Sequence, residues 1–220
     1  GGDLVGFFRI SHTALGLYAI DVSGHGITSA LLTARLAGFL SATNPDQNIA
    51  LRIDDLGLYN ARPPVEVMTE LNDRFLAEIE TEHYFTMVLA YVDLASGGVS
   101  MVQAGHPHPA VQRRSGAVEF VGAGGLPVGL VPGASYELVT LSLEPGDRLM
   151  VFSDGITECT DADGRLLDEE GLRDLMRRNA ALRGPDFHEA LLDELQRFSG
   201  APDFPDDVSS LLLEYNARRV

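Results

Sequence analysis

Asp3, Asp21, Asp154 and the pair Asp206-Asp207 are the side chains of this sequence whose setting could do chemistry. They stand in the segments Gly1-Gly2-Asp3, Asp21-Val22-Ser23-Gly24-His25-Gly26, Ser153-Asp154-Gly155 and Asp206-Asp207. Each segment lies at the edge of an apolar stretch that reads as a β-strand. A carboxylate at a strand end is held on a rigid element yet reaches solvent. A neighbouring glycine or second Asp leaves the backbone open enough to approach an ion closely. Converging carboxylates of this kind would make an all-oxygen site for hard divalent cations. Two cations sharing one carboxylate would acidify a water and aim it at phosphorus.

The elements that must carry these residues follow from periodicity. Residues 4–10 and 14–22 read as strands joined by Ser11-His12-Thr13. Both faces of the second are apolar, as in a strand covered on both sides. Gly24-His25-Gly26 breaks it, and Ile27, Ala30, Leu31, Ala34 and Ala37 then recur at helical spacing to about Ser41. Residues 43–62 read as a loop or an irregular insertion, punctuated by Asn44-Pro45-Asp46 and Arg62-Pro63-Pro64. Val65, Met68, Leu71, Asn72, Phe75, Leu76 and Ile79 mark a second amphipathic helix.

Further strands are expected over 84–94, 99–104, 110–112, 118–121, 136–141 and 148–152, with a Gly- and Pro-rich loop at 122–135. Helices are expected near 169–179 and 186–198, the latter opened by an Asp186/Glu189 capping box, and a last strand at 208–215. Runs of strands broken by helix pairs predict an α+β fold of antiparallel sheets with helices packed outside. One domain spanning residues 1–220 is expected.

The formal net charge is −16. Such a surface repels phosphate backbones and anionic membranes, which argues against nucleic-acid binding and direct membrane contact. Cys159 is the only cysteine, which excludes an internal disulfide and a multi-thiolate zinc site. That usage suits a reducing, cytoplasmic setting. No apolar run is long enough to span a bilayer, and no basic-then-apolar leader opens the chain. The sequence begins without Met, directly inside a motif, as expected of a fragment of a longer protein.

In these segments, and in Ala104-Gly105-His106-Pro107, Leu143-Glu144-Pro145-Gly146-Asp147, Phe152-Ser153-Asp154-Gly155-Ile156-Thr157-Glu158 and Asp206-Asp207-Val208-Ser209, the chain resembles a known family. It is similar to the bacterial SpoIIE/RsbU-type branch of the metal-dependent protein phosphatase 2C superfamily. The segments run in family order along essentially the whole chain. The resemblance implies an αββα sandwich, two antiparallel sheets between helical layers. It implies Ser/Thr phosphoprotein hydrolysis with two Mn²⁺ or Mg²⁺ ions. By motif, Asp21 would bridge both ions, Asp3 and the Val22 carbonyl would hold one, and Asp154 and Asp206 the other. Asp206 aligns with the family ligand better than Asp207 does.

The implied substrate is a phosphorylated anti-sigma-factor antagonist of the STAS fold. A sensor or receiver domain upstream and a homodimer are compatible with the resemblance. Two positions depart from the pattern. Gly6 stands where many relatives carry a second acid. Ser23 stands where eukaryotic relatives place a general-acid His, which leaves His25, two residues on, as the candidate for acid catalysis. The Arg that grips phosphate in eukaryotic relatives has no counterpart.

These departures keep a rival reading open, a catalytically silent module of the same fold that binds a partner. Gly1-Gly2-Asp3 also resembles a diguanylate cyclase signature, but Leu4-Val5 lack its acidic and aromatic continuation. His106 and His108 alternate with Pro107 and Pro109 and read as a structural loop rather than a zinc pair. Glu158 reads equally as an outer partner of Asp154 or as a solvated acid. Asp161, Asp163, Asp168, Glu169 and Glu170 read as an exposed acidic loop, because Gly164 is misplaced for a calcium-binding loop. Cys159 reads as a small, partly buried side chain, and the apolar helix stripes as core.

Overall fold

Glycine–aromatic pairs fix the faces of the first hairpin. The computed structural model describes residues 2–24, 26–78, 83–201, 204 and 206–216. It pairs β1 (Asp3–Arg9) with β2 (Ala14–Val22) antiparallel, with Asp3 opposite Asp21. Tyr18 lies across from Gly6 and Phe8 across from Gly16. A Cβ on Gly6 would stand 2.4 Å from the Tyr18 hydroxyl, and one on Gly16 would stand 2.2 Å from the Phe8 ring. The rings fill the space the glycines leave. The missing acid at Gly6 thus has a steric counterpart, because Tyr18 occupies its place.

The chain continues through α1 (Ile27–Phe39), β3 (Leu51–Ile53), β4 (Tyr59–Ala61), α2 (Pro64–Glu78), β5 (Phe85–Asp93), β6 (Gly98–Ala104), β7 (Ala110–Gln112) and β8 (Val118–Phe120). It ends with β9 (Leu138–Ser142), β10 (Arg148–Phe152), the single turn α3 (Asp154–Thr157), α4 (Asp168–Arg178), α5 (Gly184–Ser199) and β11 (Ser210–Glu214). One sheet has the order β1-β2-β5-β6-β9 and a second the order β11-β10-β7-β8, and every pairing within them is antiparallel.

The core forms three layers. Tyr18, Ile20 and Val22 of β2 pack with Leu32, Leu36, Met68 and Phe75 of α1 and α2. Leu17 of β2 turns the other way and meets Leu149 and Val111 of the second sheet. Phe152 and Met150 pack on Leu172, Leu191 and Leu195 of α4 and α5. The result is the αββα sandwich, and β2 is apolar on both faces because both are covered.

Three local expectations are corrected. Residues 43–62 are not all loop: β3 and β4 pair there as a small hairpin. The Asp54 carboxylate closes its turn by accepting from the Leu56 and Leu58 amides, each at 2.9 Å. The Asp186/Glu189 capping box does not form. Pro185 presets the first turn, so α5 starts at Gly184 with Arg183 as its N-cap and no side-chain cap bond. The stripe read on α1 is not core either. Ser29, Leu32 and Leu36 are buried, while Ile27 and Leu31 are 82% and 66% exposed. Ile79 and His25 lie outside the described residues.

Candidate metal centre

Asp3, Asp21, Asp154 and the pair Asp206-Asp207 meet at one end of the sandwich. Register places Asp3 and Asp21 side by side at the β1–β2 end. Asp154 begins α3 directly after β10, and Asp206 and Asp207 precede β11, the neighbour of β10. Gly155 allows this approach, because a Cβ there would stand 2.1 Å from the Asp207 carbonyl oxygen. Ser153 fastens the two segments: its hydroxyl donates to the Asp207 carbonyl at 3.2 Å and accepts from the Ser209 amide at 3.0 Å. The Asp207 amide donates to the Asp206 carboxylate at 2.8 Å.

The electrostatics record how closely these carboxylates face one another. Burial, then the charges of Asp154, Asp3 and Asp206, push the Asp21 carboxyl up to about 7. Burial raises Asp3 as well, opposed by the Ser153 and Ser209 hydroxyls and reinforced by Asp207 and Asp154. Asp154 is raised by burial and then by Asp206, against the pull of the Gly155 amide. Glu158 is raised by burial, Asp154 and Asp206, so it belongs to the same field. Asp206 acts on Asp21, Asp154 and Glu158, and Asp207 acts on Asp3.

The donor set fits hard divalent cations. Asp3 Oδ2 is buried without a hydrogen-bond partner, and an ion would satisfy it. Gly2 leaves a cradle beside Asp21 and Val22. A Cβ at Gly2 would stand 2.5 Å from the Val22 carbonyl oxygen and 3.1 Å from Asp21 Oδ1. Against this, no three acidic, His or Cys side chains among the described residues already form a closed ligand group. The two observations have different reach. Carboxylates couple through space over several ångströms, whereas coordination needs oxygens within about 2.0–2.6 Å of an ion. Like charges hold one another apart until a cation draws them in.

A cavity of about 350 Å³ opens beside Asp154 and is also lined by Thr86, His106, His108, Thr157 and Glu158. His106 is buried, and its burial pushes the imidazole down to about 4, against the pull of the Phe152 carbonyl. His108 Nδ1 stands 3.0 Å from the Glu169 carboxylate. Ser23 is engaged by its neighbours. Its hydroxyl accepts from the Tyr84 amide at 3.0 Å, and its carbonyl accepts from His83 Nδ1 at 2.7 Å. Asp147, of the Glu144-Pro145-Gly146-Asp147 segment, is instead a brace for the fold. Burial opposes its ionisation, but the Glu144 and Arg114 amides and the Arg113 guanidinium hold it below the usual range.

Residues 11–216 match the sequence model of the family described as Stage II sporulation protein E (SpoIIE). The chain belongs to the SpoIIE family. Within it, the chain is 29% identical over 218 residues to the phosphoserine phosphatase RsbP of Bacillus subtilis, covering 97% of this chain and 49% of RsbP. This SpoIIE-family chain therefore spans about half the length of that relative. Its fold is that of the SiaA-PP2C domain of Pseudomonas aeruginosa, with a TM-score of 0.79 at 20% identity over 98% of this chain and 81% of that one. The structure of the RsbU and RsbW domains of Rv1364c from Mycobacterium tuberculosis aligns at a TM-score of 0.75 and 25% identity, over 99% of this chain and 56% of that one.

The structure thus brings together Asp3, Asp21, Asp154 and Asp206, with the Val22 carbonyl beside Asp21. It adds a part for Ser153 and Ser209, which stand inside the quoted acidic segments but carry no expected role there. Thr86 and the role of His106 left no such signal, because they follow only from strand register.

Proposed function

We propose that this chain is a Mn²⁺- or Mg²⁺-dependent phosphatase domain acting on phosphoserine or phosphothreonine of a regulatory protein. The reading rests on one observation: Asp3, Asp21, Asp154 and Asp206 converge at one end of the two sheets, where burial and then their mutual charges push the Asp21 carboxyl up to about 7. Asp3 and the Val22 carbonyl would hold one ion, Asp154 and Asp206 the other, and Asp21 would lie between. When bound, such a pair supplies positive charge that acidifies a water and offsets charge on the phosphoryl oxygens. The protein's part is placement. β2 and β10 hold Asp21 and Asp154 on rigid ends, and Ser153 ties the Asp206-Asp207 segment to the end of β10. The cavity beside Asp154 admits residues flanking the phosphorylated one. His25 is assigned the proton for the departing serine oxygen.

Membership of the SpoIIE family and the similarity to RsbP support this reading. They also support a phosphorylated STAS-fold anti-sigma-factor antagonist as substrate. A cytoplasmic setting, a sensor or receiver domain upstream and a homodimer complete the proposal for the whole protein. Calorimetric titration should detect two Mn²⁺ ions, and the purified chain should release phosphate from a phosphoserine peptide. Asp21→Ala and Asp154→Asn should each lose more than the roughly 10–100-fold that removing an outer-shell partner costs. Full activity in either variant would overturn the reading. Absence of ion binding, with partner binding retained, would identify a silent module instead.

The proton assigned to His25 has its own test. An aryl phosphate leaves without needing a proton, whereas a serine alkoxide needs one. His25→Asn should therefore slow phosphoserine hydrolysis by about 10²-fold or more and leave aryl phosphate hydrolysis nearly unchanged. Equal losses on both substrates would remove the role.

A further inference from the structure

His106 joins the two sheets directly beneath the carboxylates. Thr86 sits on β5 opposite Asp21 of β2. Its hydroxyl lies 2.9 Å from His106 Nδ1, and His106 Nε2 lies 3.0 Å from the Phe152 carbonyl oxygen. Phe152 ends β10, two residues before Asp154. A carbonyl only accepts, so Nε2 carries the hydrogen and Nδ1 is left to accept from the Thr86 hydroxyl. The ring is thus a neutral imidazole of fixed tautomer, with both nitrogens used. Its backbone is held too. The His106 carbonyl accepts from the Gln103 side-chain amide, and Gly105, beside it, bridges to Met87 of β5.

We propose that His106 is a positioning residue, which with Thr86 sets the separation of Asp21 on the first sheet from Asp154 at the end of the second. The inference rests on the metal-centre reading above. The chain of contacts runs Asp21, Thr86, His106, Phe152, Asp154. Each link is a strand pairing, a hydrogen bond or a short stretch of backbone. Two carboxylates that repel one another need such a clamp if they are to meet ions at a fixed spacing. A histidine buried only to fill space would not require its Thr86 partner. Outer-shell partners that orient ligands commonly change metal affinity by about 10–100-fold when removed.

The test uses variants that keep shape. Thr86→Val removes only the hydroxyl, and its β-branched side chain suits the strand. Thr86→Ser keeps the donor. His106→Leu removes both ring contacts. Mn²⁺ titration calorimetry is run on each, alongside metal-free thermal unfolding. Thr86→Val should weaken Mn²⁺ binding by about 10–100-fold while unfolding stays cooperative, and Thr86→Ser should bind close to the unaltered chain. The Thr86→Val/His106→Leu pair should lose little more than His106→Leu alone, since one contact chain is cut in both. Equal affinity in Thr86→Val and the unaltered chain overturns the inference, as does equal loss in Thr86→Val and Thr86→Ser. If His106→Leu fails to fold, the two Thr86 variants decide. If the unaltered chain binds no Mn²⁺, the metal-centre reading fails first and the inference falls with it.

Discussion

Asp21 keeps a proton that an isolated aspartate would have released. Its carboxyl stands at about 7 through burial and through the charges of Asp154, Asp3 and Asp206, against an ordinary value of 3.8. Without metal, the folded protein near neutrality therefore binds a proton that the unfolded chain has lost. The stability tied to this group is fully present below the unfolded value and is lost as pH rises through about 7. The metal-free melting temperature should accordingly fall between about pH 4 and about pH 7 and level off above that. Asp21→Asn should flatten that fall and raise the melting temperature at the upper end, which scanning calorimetry would read directly. Metal binding must expel the same proton, so apparent Mn²⁺ affinity should drop roughly tenfold per pH unit below the Asp21 value. An unaltered slope in Asp21→Asn would move the proton to another member of the coupled cluster.

At the scale of elements, α1 shows what periodicity can and cannot settle. Ile27, Ala30, Leu31 and Ala34 form one apolar stripe, and Leu32, Leu36 and Leu40 form another. Both satisfy helical spacing, and the sequence holds nothing that decides which faces the sheet. The structure buries the second, against Ile20 and Val22 of β2. Leu36→Ala should therefore cost about 2–5 kcal/mol in urea unfolding, and Leu31→Ser should stay within about 0.5 kcal/mol. The reverse ranking would mean that the first stripe faces the core after all. The β3–β4 hairpin was hidden for a different reason: its strands are three residues each, too short for an alternating pattern to stand out. β2 was legible because nine residues apolar on both faces admit few other readings. Asp3, Asp154 and Asp206 were legible because each adjoins a glycine or a second Asp at a strand end, and Asp21 because it closes an apolar strand three residues before Gly24. Their partners Ser153, Ser209, Thr86 and His106 were not, since hydrogen bonding across two sheets depends on register that no local pattern carries.

These 220 residues together bear a formal charge of −16, and the proposed substrate carries a dianionic phosphate. Both sides of the encounter are then negative until ions occupy the site, and even then the surrounding surface repels an acidic partner. Glu158 and Glu169 line the cavity beside Asp154, so the repulsion is concentrated where a peptide would lie. Residues flanking the phosphoserine should matter through their charge. Salt shortens the range of such forces, from about 30 Å at 0.01 M to about 8 Å at 0.15 M. With Mn²⁺ held at saturation, adding inert salt over that range should raise kcat/KM for a phosphopeptide with acidic flanks. The same addition should lower it for one with basic flanks, and the two curves should converge at high salt. The opposite signs matter more than the size of either change, because weaker ion binding at higher salt would depress both peptides together. Parallel curves would place recognition in short-range contacts at the cavity wall rather than in the field of the whole surface.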